Sequence, residues 1–276
     1  MEAALSPDPA WTRLLDVLAP HRDTGLVVAF SGGLDSAILL DAALEALGRD
    51  RVTAFTAVSP SLSQRELAEA RSVAEELGAT LETAETFELD DPGYVANAGN
   101  RCYFCKKELF SAIERLRVAR GFPAIGYGYH VDDDADVRPG LKAALEAGVV
   151  RPLYAAGLGK ADLRRLAKAR GRSFADKPSQ ACLSSRLPMG MPVTRERLSK
   201  VEIVEGWLKD RGYLQLRGRL DKDDLVRLEV APAELPRLAA DLADDGFREA
   251  LLAEARAAGV LRVTLDLVGY HRAGEA

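Results

Sequence analysis

The chain has 276 residues, 47% of them hydrophobic, which is enough for the core of one large or two modest domains. With 37 Lys and Arg against 42 Asp and Glu, the formal net charge is −5, which argues against a nucleic-acid-binding surface over the whole molecule. Three cysteines are too few for a disulfide framework. No apolar run approaches the roughly 18 residues that span a bilayer, and residues 1–15 do not resemble a signal peptide. We therefore expect a soluble cytoplasmic protein without a membrane partner.

The first half of the chain alternates strand and helix patterns. Short apolar runs predict strands at 26–30, 52–58, 80–87, 124–129 and 149–153. Helical patterns predict a helix that ends at residue 47, and further helices at 63–77, 103–119, 138–147 and 160–170. Buried strands separated by helices of this length indicate βαβ units, so the fold class is α/β, with a parallel sheet flanked by helices.

The pattern changes after a segment rich in Pro and Gly at 177–192. The C-terminal part predicts helices at 195–211, 233–241 and 246–258, and strands at 213–219, 225–230 and 260–267. We expect these strands to be antiparallel and to belong to a smaller α+β domain. The predicted domains are therefore residues 1–185 and 186–276.

The strongest local signal is SGGLDS, which lies between the first strand and the helix that follows it. Gly32 and Gly33 allow backbone N–H groups to turn inward beside the helix N-terminus, and Ser31 and Ser36 add hydroxyl groups. Asp35 cannot bind a phosphate directly, so we expect it to hold Mg²⁺ or to position the loop. The loop lacks the lysine of a Walker A motif and the spacing of GxGxxG. A tight turn capped by serine is the alternative.

This hexapeptide after a first strand resembles the loop of the PP-loop ATP pyrophosphatases. The resemblance implies an adenine nucleotide alpha hydrolase-like fold that binds the pyrophosphate of ATP while a substrate oxygen attacks the α-phosphorus. The products are an adenylated substrate, which has AMP as a good leaving group, and pyrophosphate. We also assign Ser59 and Gly126 to this ATP site.

The acidic run YHVDDDADVRPG follows the fourth predicted strand. Ligands bind at the carboxyl ends of parallel strands, so Asp134 and Asp136 are candidate magnesium ligands together with the loop aspartate. Arg138 and Lys142 could meet phosphate or carboxylate groups of the ligands. The alternative for each single residue is a solvated loop with a helix cap. For His130, capping, packing and catalysis all remain open.

The three cysteines are Cys102 and Cys105 in RCYFCKK and Cys182 in QACLSSR. Buried hydrophobic cysteines are one interpretation, and a redox CxxC pair that leaves Cys182 unused is a second. Structural zinc would need a fourth ligand. Three thiolates can also hold three corners of a [4Fe–4S] cluster and leave one iron open for an exogenous sulfide. The residues alone leave these alternatives open.

Four segments in this order, SGGLDS, RCYFCK, DDDADVRPGLKA and ACLSSRLPMG, resemble the LarE family, and the similarity extends to RGYLQLRGRL and LVRLEV. The resemblance implies an ATP-dependent sulfur transferase of nickel-pincer cofactor biosynthesis. Such an enzyme adenylates the carboxylates of pyridinium-3,5-biscarboxylic acid mononucleotide and converts them to thiocarboxylates. The resemblance also implies a homo-oligomer, a sulfide donor as partner, and a product used by lactate racemase-type enzymes.

The family has two sulfur strategies. One branch sacrifices a single cysteine, which stands one residue before Cys182, at the position of Ala181 in this chain. The other branch has three cysteines that carry a [4Fe–4S] cluster with a sulfide on its open iron. The resemblance therefore implies that Cys102 and Cys105 join Cys182 in holding the cluster, and that these cysteines act in catalysis with Asp35.

The resemblance also suggests the residues that bind the substrate. Alternation along a strand puts Arg217 and Arg219 on one face, which suits a phosphomonoester. Glu229 lies on the neighbouring predicted strand. Arg186 and Glu205 match further charged positions of the family. Exposed strand charges are the alternative for each arginine taken singly.

Three competing functions remain open at this point. A cluster-bearing PP-loop tRNA thiolase would use the same chemistry, but the acidic net charge and the lack of a segment rich in Lys and Arg speak against an RNA partner. An ATP-dependent amide-forming ligase has the same fold, although no glutaminase domain is seen that could supply ammonia. A non-enzymatic nucleotide or cluster sensor would release no pyrophosphate.

Overall fold

The computed structural model describes residues 8–135, 139–178 and 181–270. They form two compact units. The first unit consists of the described residues within Met1–Ser59, Gln64–Asp91 and Asn100–Gln180. The second consists of those within Pro60–Ser63, Pro92–Gly99 and Ala181–Ala276. Two short segments of the first half of the chain thus belong to the second unit.

The regular elements follow the chain order. The described strands are β1 (Leu26–Ala29), β2 (Val52–Val58), β3 (Thr80–Glu85), β4 (Ile125–Tyr127), β5 (Leu216–Asp221), β6 (Leu225–Val230) and β7 (Arg262–Leu265). The described α-helices are α1 (Pro9–Leu18), α2 (Leu34–Leu47), α3 (Gln64–Leu77), α4 (Pro92–Val95), α5 (Arg101–Arg120), α6 (Pro139–Glu146), α7 (Pro152–Ala155), α8 (Lys160–Ala169), α9 (Arg195–Lys209), α10 (Leu235–Ala243) and α11 (Asp245–Ala257). None of these helices combines the length and the apolar character needed to cross a bilayer.

The sheet of the first unit is parallel throughout, in the strand order β3-β2-β1-β4. All four side chains of β1 are buried, as expected for a strand covered on both faces. Leu26 and Val28 share a core with α1, α2 and α8. Val27 and Ala29 pack with α5 on the other face, because successive side chains of a strand point to opposite sides. The predicted parallel sheet flanked by helices is confirmed.

The fifth strand predicted in the first half, at 149–153, is reduced to a single bridge between Val150 and Gly126. Pro152 instead begins the short helix α7. Proline has no N–H to donate to a strand ladder, and its fixed φ suits the first turn of a helix. The strand prediction was therefore wrong beyond the bridge at Val150.

The sheet of the second unit has the order β5-β6-β7. β5 and β6 are antiparallel, with Arg217 opposite Glu229 and Arg219 opposite Arg227. β7 is parallel to β6, so the prediction of antiparallel strands was wrong for β7. The reason is the connection between the two strands. It contains α10 and α11, and a crossover through helices returns the chain to the end of the sheet where β6 began.

Candidate functional site

The carboxyl ends of the four parallel strands lie at one edge of the sheet in the first unit. Ser31 follows β1 closely, Ser59 follows β2, Thr86 follows β3 and Gly128 follows β4. In open parallel sheets ligands bind at this edge. The SGGLDS loop, which links β1 to α2, is therefore where an α/β fold binds its ligand.

Two serines shape the SGGLDS loop. The Oγ atom of Ser36 accepts a hydrogen bond from the Ser31 N–H at 3.2 Å and donates one to the Gly33 carbonyl at 3.1 Å. The Oγ atom of Ser31 lies 3.2 Å from that of Ser36 and accepts a hydrogen bond from the Gly33 N–H at 3.4 Å. Ser36 is buried, whereas Ser31 is exposed. Because the first N–H groups of α2 have no partner inside the helix, the loop offers donors to an anion.

Two glycines let the backbone approach closely at this loop. Gly32 has a φ of +67°, and a Cβ atom there would lie 2.6 Å from the Cα atom of Ala70 in α3. A Cβ atom on Gly128, after β4, would lie 3.1 Å from the Ser36 nitrogen. Position 32 therefore requires glycine, because of both the positive φ angle and the close contact with Ala70.

Asp35 lies among charged groups at the start of α2. Its Oδ1 atom accepts a hydrogen bond from the Lys160 ammonium at 2.5 Å, and the Nε2 atom of His130 lies 4.0 Å from the same oxygen. His130 is buried, and its Nδ1 atom has no hydrogen-bond partner within the described residues. The Lys160 N–H donates to Oδ2 of Asp132 at 2.6 Å. The first turn of α8 is thus held by Asp35 against the SGGLDS loop, called the phosphate loop below, and by Asp132 against the segment after β4.

A second lysine reaches the loop backbone. The Lys177 ammonium donates to the Gly32 carbonyl at 3.0 Å and pairs with Glu69 at 2.8 Å. Neither Lys160 nor Lys177 was among the residues predicted from the sequence. Lysine is common on surfaces, and no local motif marks these two, so only the fold reveals them.

The other predicted ATP and magnesium residues differ in their surroundings. Gly126 lies within β4, opposite Val28. The Lys142 side chain, 74% exposed, lies 3.9 Å from Glu146 on its own helix α6. Asp136 and Arg138 lie outside the described residues, and so does the side chain of Asp134. Among the described residues, no group of three or more His, Cys, Asp or Glu side chains is arranged to hold a metal ion.

Cys102 and Cys105 lie within the first five residues of α5, three positions apart, and therefore on neighbouring parts of one helix face. Neither cysteine forms a disulfide, and Cys102 is exposed whereas Cys105 is half-buried. The Cys105 thiol donates to Oε1 of the buried Glu88 at 3.8 Å. A Cβ atom on Gly140 in α6 would lie 3.4 Å from the Cys102 carbonyl oxygen. The N-terminus of α6 thus packs on the turn that carries the two cysteines.

Residues 181–187, called the third-cysteine segment below, carry the remaining free cysteine within the second unit. The Leu183 N–H donates to the Ser61 carbonyl at 2.9 Å. The buried hydroxyl groups of Tyr94 and Ser184 lie 2.7 Å apart. The two short segments from the first half of the chain therefore belong to the second unit because they hold the third-cysteine segment.

Arg186, at the end of this segment, forms a buried ion pair with Glu205 of α9. Its Nε atom lies 2.7 Å from Oε1 of Glu205, and its Nη2 atom donates to Oε2 at 3.0 Å. Burial by itself raises the pKa of Glu205, but the hydrogen bonds and charge of Arg186, together with Lys209, lower it below its usual range. Glu205 is therefore a carboxylate in the folded protein.

Arg219 on β5 pairs with Glu229 of β6, Nε to Oε2, at 3.0 Å, and its Nη1 atom donates to the Ser185 carbonyl at 2.8 Å. Arg217, two positions earlier and on the same face of the strand, is buried, with its guanidinium 4.9 Å from the centre of the Tyr270 ring. Burial, and then the positive charge of Arg186, lower the pKa of Arg217. The five predicted substrate residues are thus linked through β5, β6, α9 and the third-cysteine segment.

Comparison with known proteins identifies the family. A family model described as NAD synthase matches residues 12–97, which contain the phosphate loop. The chain is 34% identical to the pyridinium-3,5-bisthiocarboxylic acid mononucleotide synthase of Lactiplantibacillus plantarum over 260 residues, which cover 94% of this chain and 92% of that one. It is 39% identical to an uncharacterized protein of Synechocystis sp. over 88% of this chain and 89% of the other.

Among solved structures, the fold is similar to that of the NMN synthetase from Francisella tularensis, with a TM-score of 0.49 and 17% identity. That similarity covers 64% of this chain and 76% of the other. The resemblance found in the sequence is confirmed by the relative from Lactiplantibacillus plantarum. With that identity along nearly its whole length, and with an SGGLDS loop at the carboxyl edge of a parallel sheet, the chain belongs to the LarE family of ATP-dependent PP-loop enzymes.

Proposed function

We propose that this protein is a sulfur transferase that adenylates the carboxylates of pyridinium-3,5-biscarboxylic acid mononucleotide and converts them to thiocarboxylates. The product would be a precursor of the nickel-pincer cofactor of lactate racemase-type enzymes. The observation that carries the proposal is the similarity to the synthase from Lactiplantibacillus plantarum along 94% of the chain. The three cysteines of this chain, none of which forms a disulfide, support the sulfur chemistry.

In the first step a carboxylate oxygen of the substrate attacks the α-phosphorus of ATP. The bond from that phosphorus to the bridging oxygen breaks, and pyrophosphate leaves. The loop N–H groups and Ser31 suit the charge on the departing phosphates, and the Lys160 ammonium beside Asp35 adds a cation at the same end of the sheet.

Magnesium would help to neutralise the phosphate charge when it is bound with ATP. Carboxylate oxygens are the ligands this ion prefers, and the oxygen-rich run after β4 fits that donor chemistry. We propose Asp35, Asp134 and Asp136 as its ligands. Ser59, Gly126, Arg138 and Lys142 complete the proposed contacts to ATP.

The substrate phosphate fits the charged face of β5. Arg217 and Arg219 lie on one side of this strand, and the Arg217 guanidinium is buried, so that it is shielded from solvent. Glu229 keeps Arg219 oriented through their 3.0 Å contact. Arg186 and Glu205 lie behind this face as a buried ion pair, with the Nε atom of Arg186 2.7 Å from Oε1 of Glu205.

Cys102, Cys105 and Cys182 would hold a [4Fe–4S] cluster, which would supply the sulfide in this proposal. Three cysteines outside any disulfide would suffice to hold such a cluster with one iron left open for sulfide. The two thiols of α5 are accompanied by the cationic residues Arg101 and Lys106, which suit the negative charge of thiolates. Ala181 stands where the other branch of the family has its sacrificial cysteine.

Anaerobic purification with quantitation of iron and sulfide tests this proposal. We expect about four irons per chain, and thiocarboxylate product from the substrate nucleotide and ATP. Cys182→Ala should lose the cluster absorbance and the thiolation, yet keep substrate-dependent pyrophosphate release, because the phosphate loop lies in the other unit. A cluster-free protein in which Cys182 has become dehydroalanine would contradict the cluster mechanism.

A further inference from the structure

We propose that Arg186 and Glu205 are a positioning pair that fixes the third-cysteine segment, and with it the sulfur of Cys182, without contacting the substrate. The inference rests on the proposed function, in which Cys182 takes part in sulfur delivery. It gives the two residues a role distinct from that of Arg217 and Arg219, which face the proposed substrate.

Each of the three guanidinium nitrogens of Arg186 donates to a protein acceptor. Nε and Nη2 donate to the two oxygens of Glu205. Nη1 donates to the Ala181 carbonyl, to the Cys182 carbonyl at 2.9 Å and to the Ser185 hydroxyl at 3.1 Å. One side chain therefore binds the backbone on both sides of the cysteine. Because all three nitrogens are engaged and the residue is buried, the guanidinium presents little surface to a substrate phosphate.

Glu205 connects the arginine to the rest of the second unit. Its Oε1 atom also accepts the Gly218 N–H of β5 at 2.9 Å, and its Oε2 atom also accepts the Lys209 ammonium at 3.1 Å. Arg186 is 2% exposed and Glu205 1%. The carboxylate thus holds α9, β5 and, through Arg186, the third-cysteine segment in one buried network.

The geometry of the pair explains why both residues are charged. A lysine has a single point charge and cannot reproduce the planar fork that bridges a carboxylate and two carbonyls. Removal of Glu205 takes away the carboxylate that the buried Arg186 pairs with, and removal of Arg186 leaves Lys209 as the cation beside the buried Glu205. A change at Arg186 or Glu205 should therefore loosen the segment that carries Cys182 before it changes substrate affinity.

The test compares Arg186→Lys and Glu205→Gln with wild type in the full chain. The first measurement is the alkylation rate of Cys182 by iodoacetamide in the cluster-free protein, divided by that of Cys102 in the same molecules and read by peptide mass spectrometry. The second is iron bound per chain after anaerobic reconstitution. The third is the KM for the substrate nucleotide in pyrophosphate release, which does not require sulfur transfer.

We expect the alkylation ratio to rise about tenfold in both variants, because loss of one charged hydrogen bond opens the segment locally. Iron per chain should fall, while the KM for the nucleotide stays close to that of wild type. Lys200→Met is the matched control: Lys200 is a buried cation of the same helix, and it pairs with Asp224 and Glu196. This control should lower stability without changing the alkylation ratio or the iron content.

An unchanged alkylation ratio together with a raised KM would overturn the inference, because it would mean that the pair contacts the substrate. An equal rise of the ratio in Lys200→Met would also overturn it, since the effect would then reflect general loosening. Failure of the proposed function has a different signature: wild type would transfer no sulfur, while the alkylation ratio would still report on the pair.

Discussion

Gly32 shows how much a single residue decides at the phosphate loop. It combines a φ of +67° with a close approach to α3, where an added Cβ atom would lie 2.6 Å from the Cα atom of Ala70. Gly121, which ends α5, has nearly the same φ, +69°, but open space where its Cβ atom would be. A comparison of these two glycines therefore distinguishes the cost of a left-handed backbone from the cost of a steric clash.

Gly32→Ala and Gly121→Ala should therefore differ. At Gly121 only the strain of a left-handed residue applies, and we expect a loss of about 1 kcal/mol in the free energy of unfolding, with an unchanged KM for ATP. At Gly32 the collision with backbone adds to it, so we expect a loss of at least about 2 kcal/mol and a KM for ATP raised about tenfold. Urea unfolding and pyrophosphate release measure the two quantities. Equal effects of the two variants on the KM would contradict the role of Gly32.

At the scale of elements, two ion pairs fasten α8 to α2, one at each end of α8. At its start Lys160 pairs with Asp35. Just beyond its end, Arg170 and Arg172 both donate to the buried carboxylate of Asp41, at distances between 2.6 and 3.2 Å. Since α2 begins at the phosphate loop, these contacts fix the helix whose N-terminus faces the ligand.

Asp41→Asn tests this connection. The neutral amide would leave two half-buried guanidinium groups without their buried carboxylate, so we expect the free energy of unfolding to fall by about 2–3 kcal/mol. Glu114→Gln removes the exposed partner of Arg117 on α5 and should change stability by less than about 1 kcal/mol. Both values come from urea unfolding of the full chain. A loss at Asp41 no larger than that at Glu114 would mean that the buried carboxylate contributes little.

At the scale of the whole molecule, the charge balance favours the proposed small nucleotide over RNA as substrate. The net charge is −5, and the arginines of β5 are paired with carboxylates of β6 or buried rather than spread over a surface. Such a distribution suits one phosphate group and not a polyanion.

Pyrophosphate release should consequently depend on the small carboxylate nucleotide, with no stimulation by tRNA. Between 50 and 200 mM salt the KM for the nucleotide should change by less than about tenfold, whereas a protein that contacts many phosphates loses about 10³-fold or more in affinity. Steady-state kinetics at the two salt concentrations measures this. A thiolated nucleoside found by mass spectrometry after incubation with tRNA and ATP would instead support the tRNA thiolase.

The fold class and the phosphate loop could be read from the sequence because both are local. Apolar runs such as 26–30 and 52–58, separated by helical patterns, encode a parallel sheet through neighbouring residues alone. The SGGLDS loop carries its glycines and serines within six positions. The three cysteines were likewise visible, although their convergence on a cluster stays a prediction.

The tertiary structure decided what depends on residues far apart in the chain. Lys160 and Asp35 are 125 positions apart, and neither their pairing nor the direction of β7 has a local signal. The same holds for the segments 60–63 and 92–99, which join the second unit by holding the third-cysteine segment. The sequence by itself thus determined the periodicity, the loop and the kinds of reactive groups. The tertiary structure determined which residues these groups contact, because hydrogen bonds and ion pairs depend on distances that only packing sets.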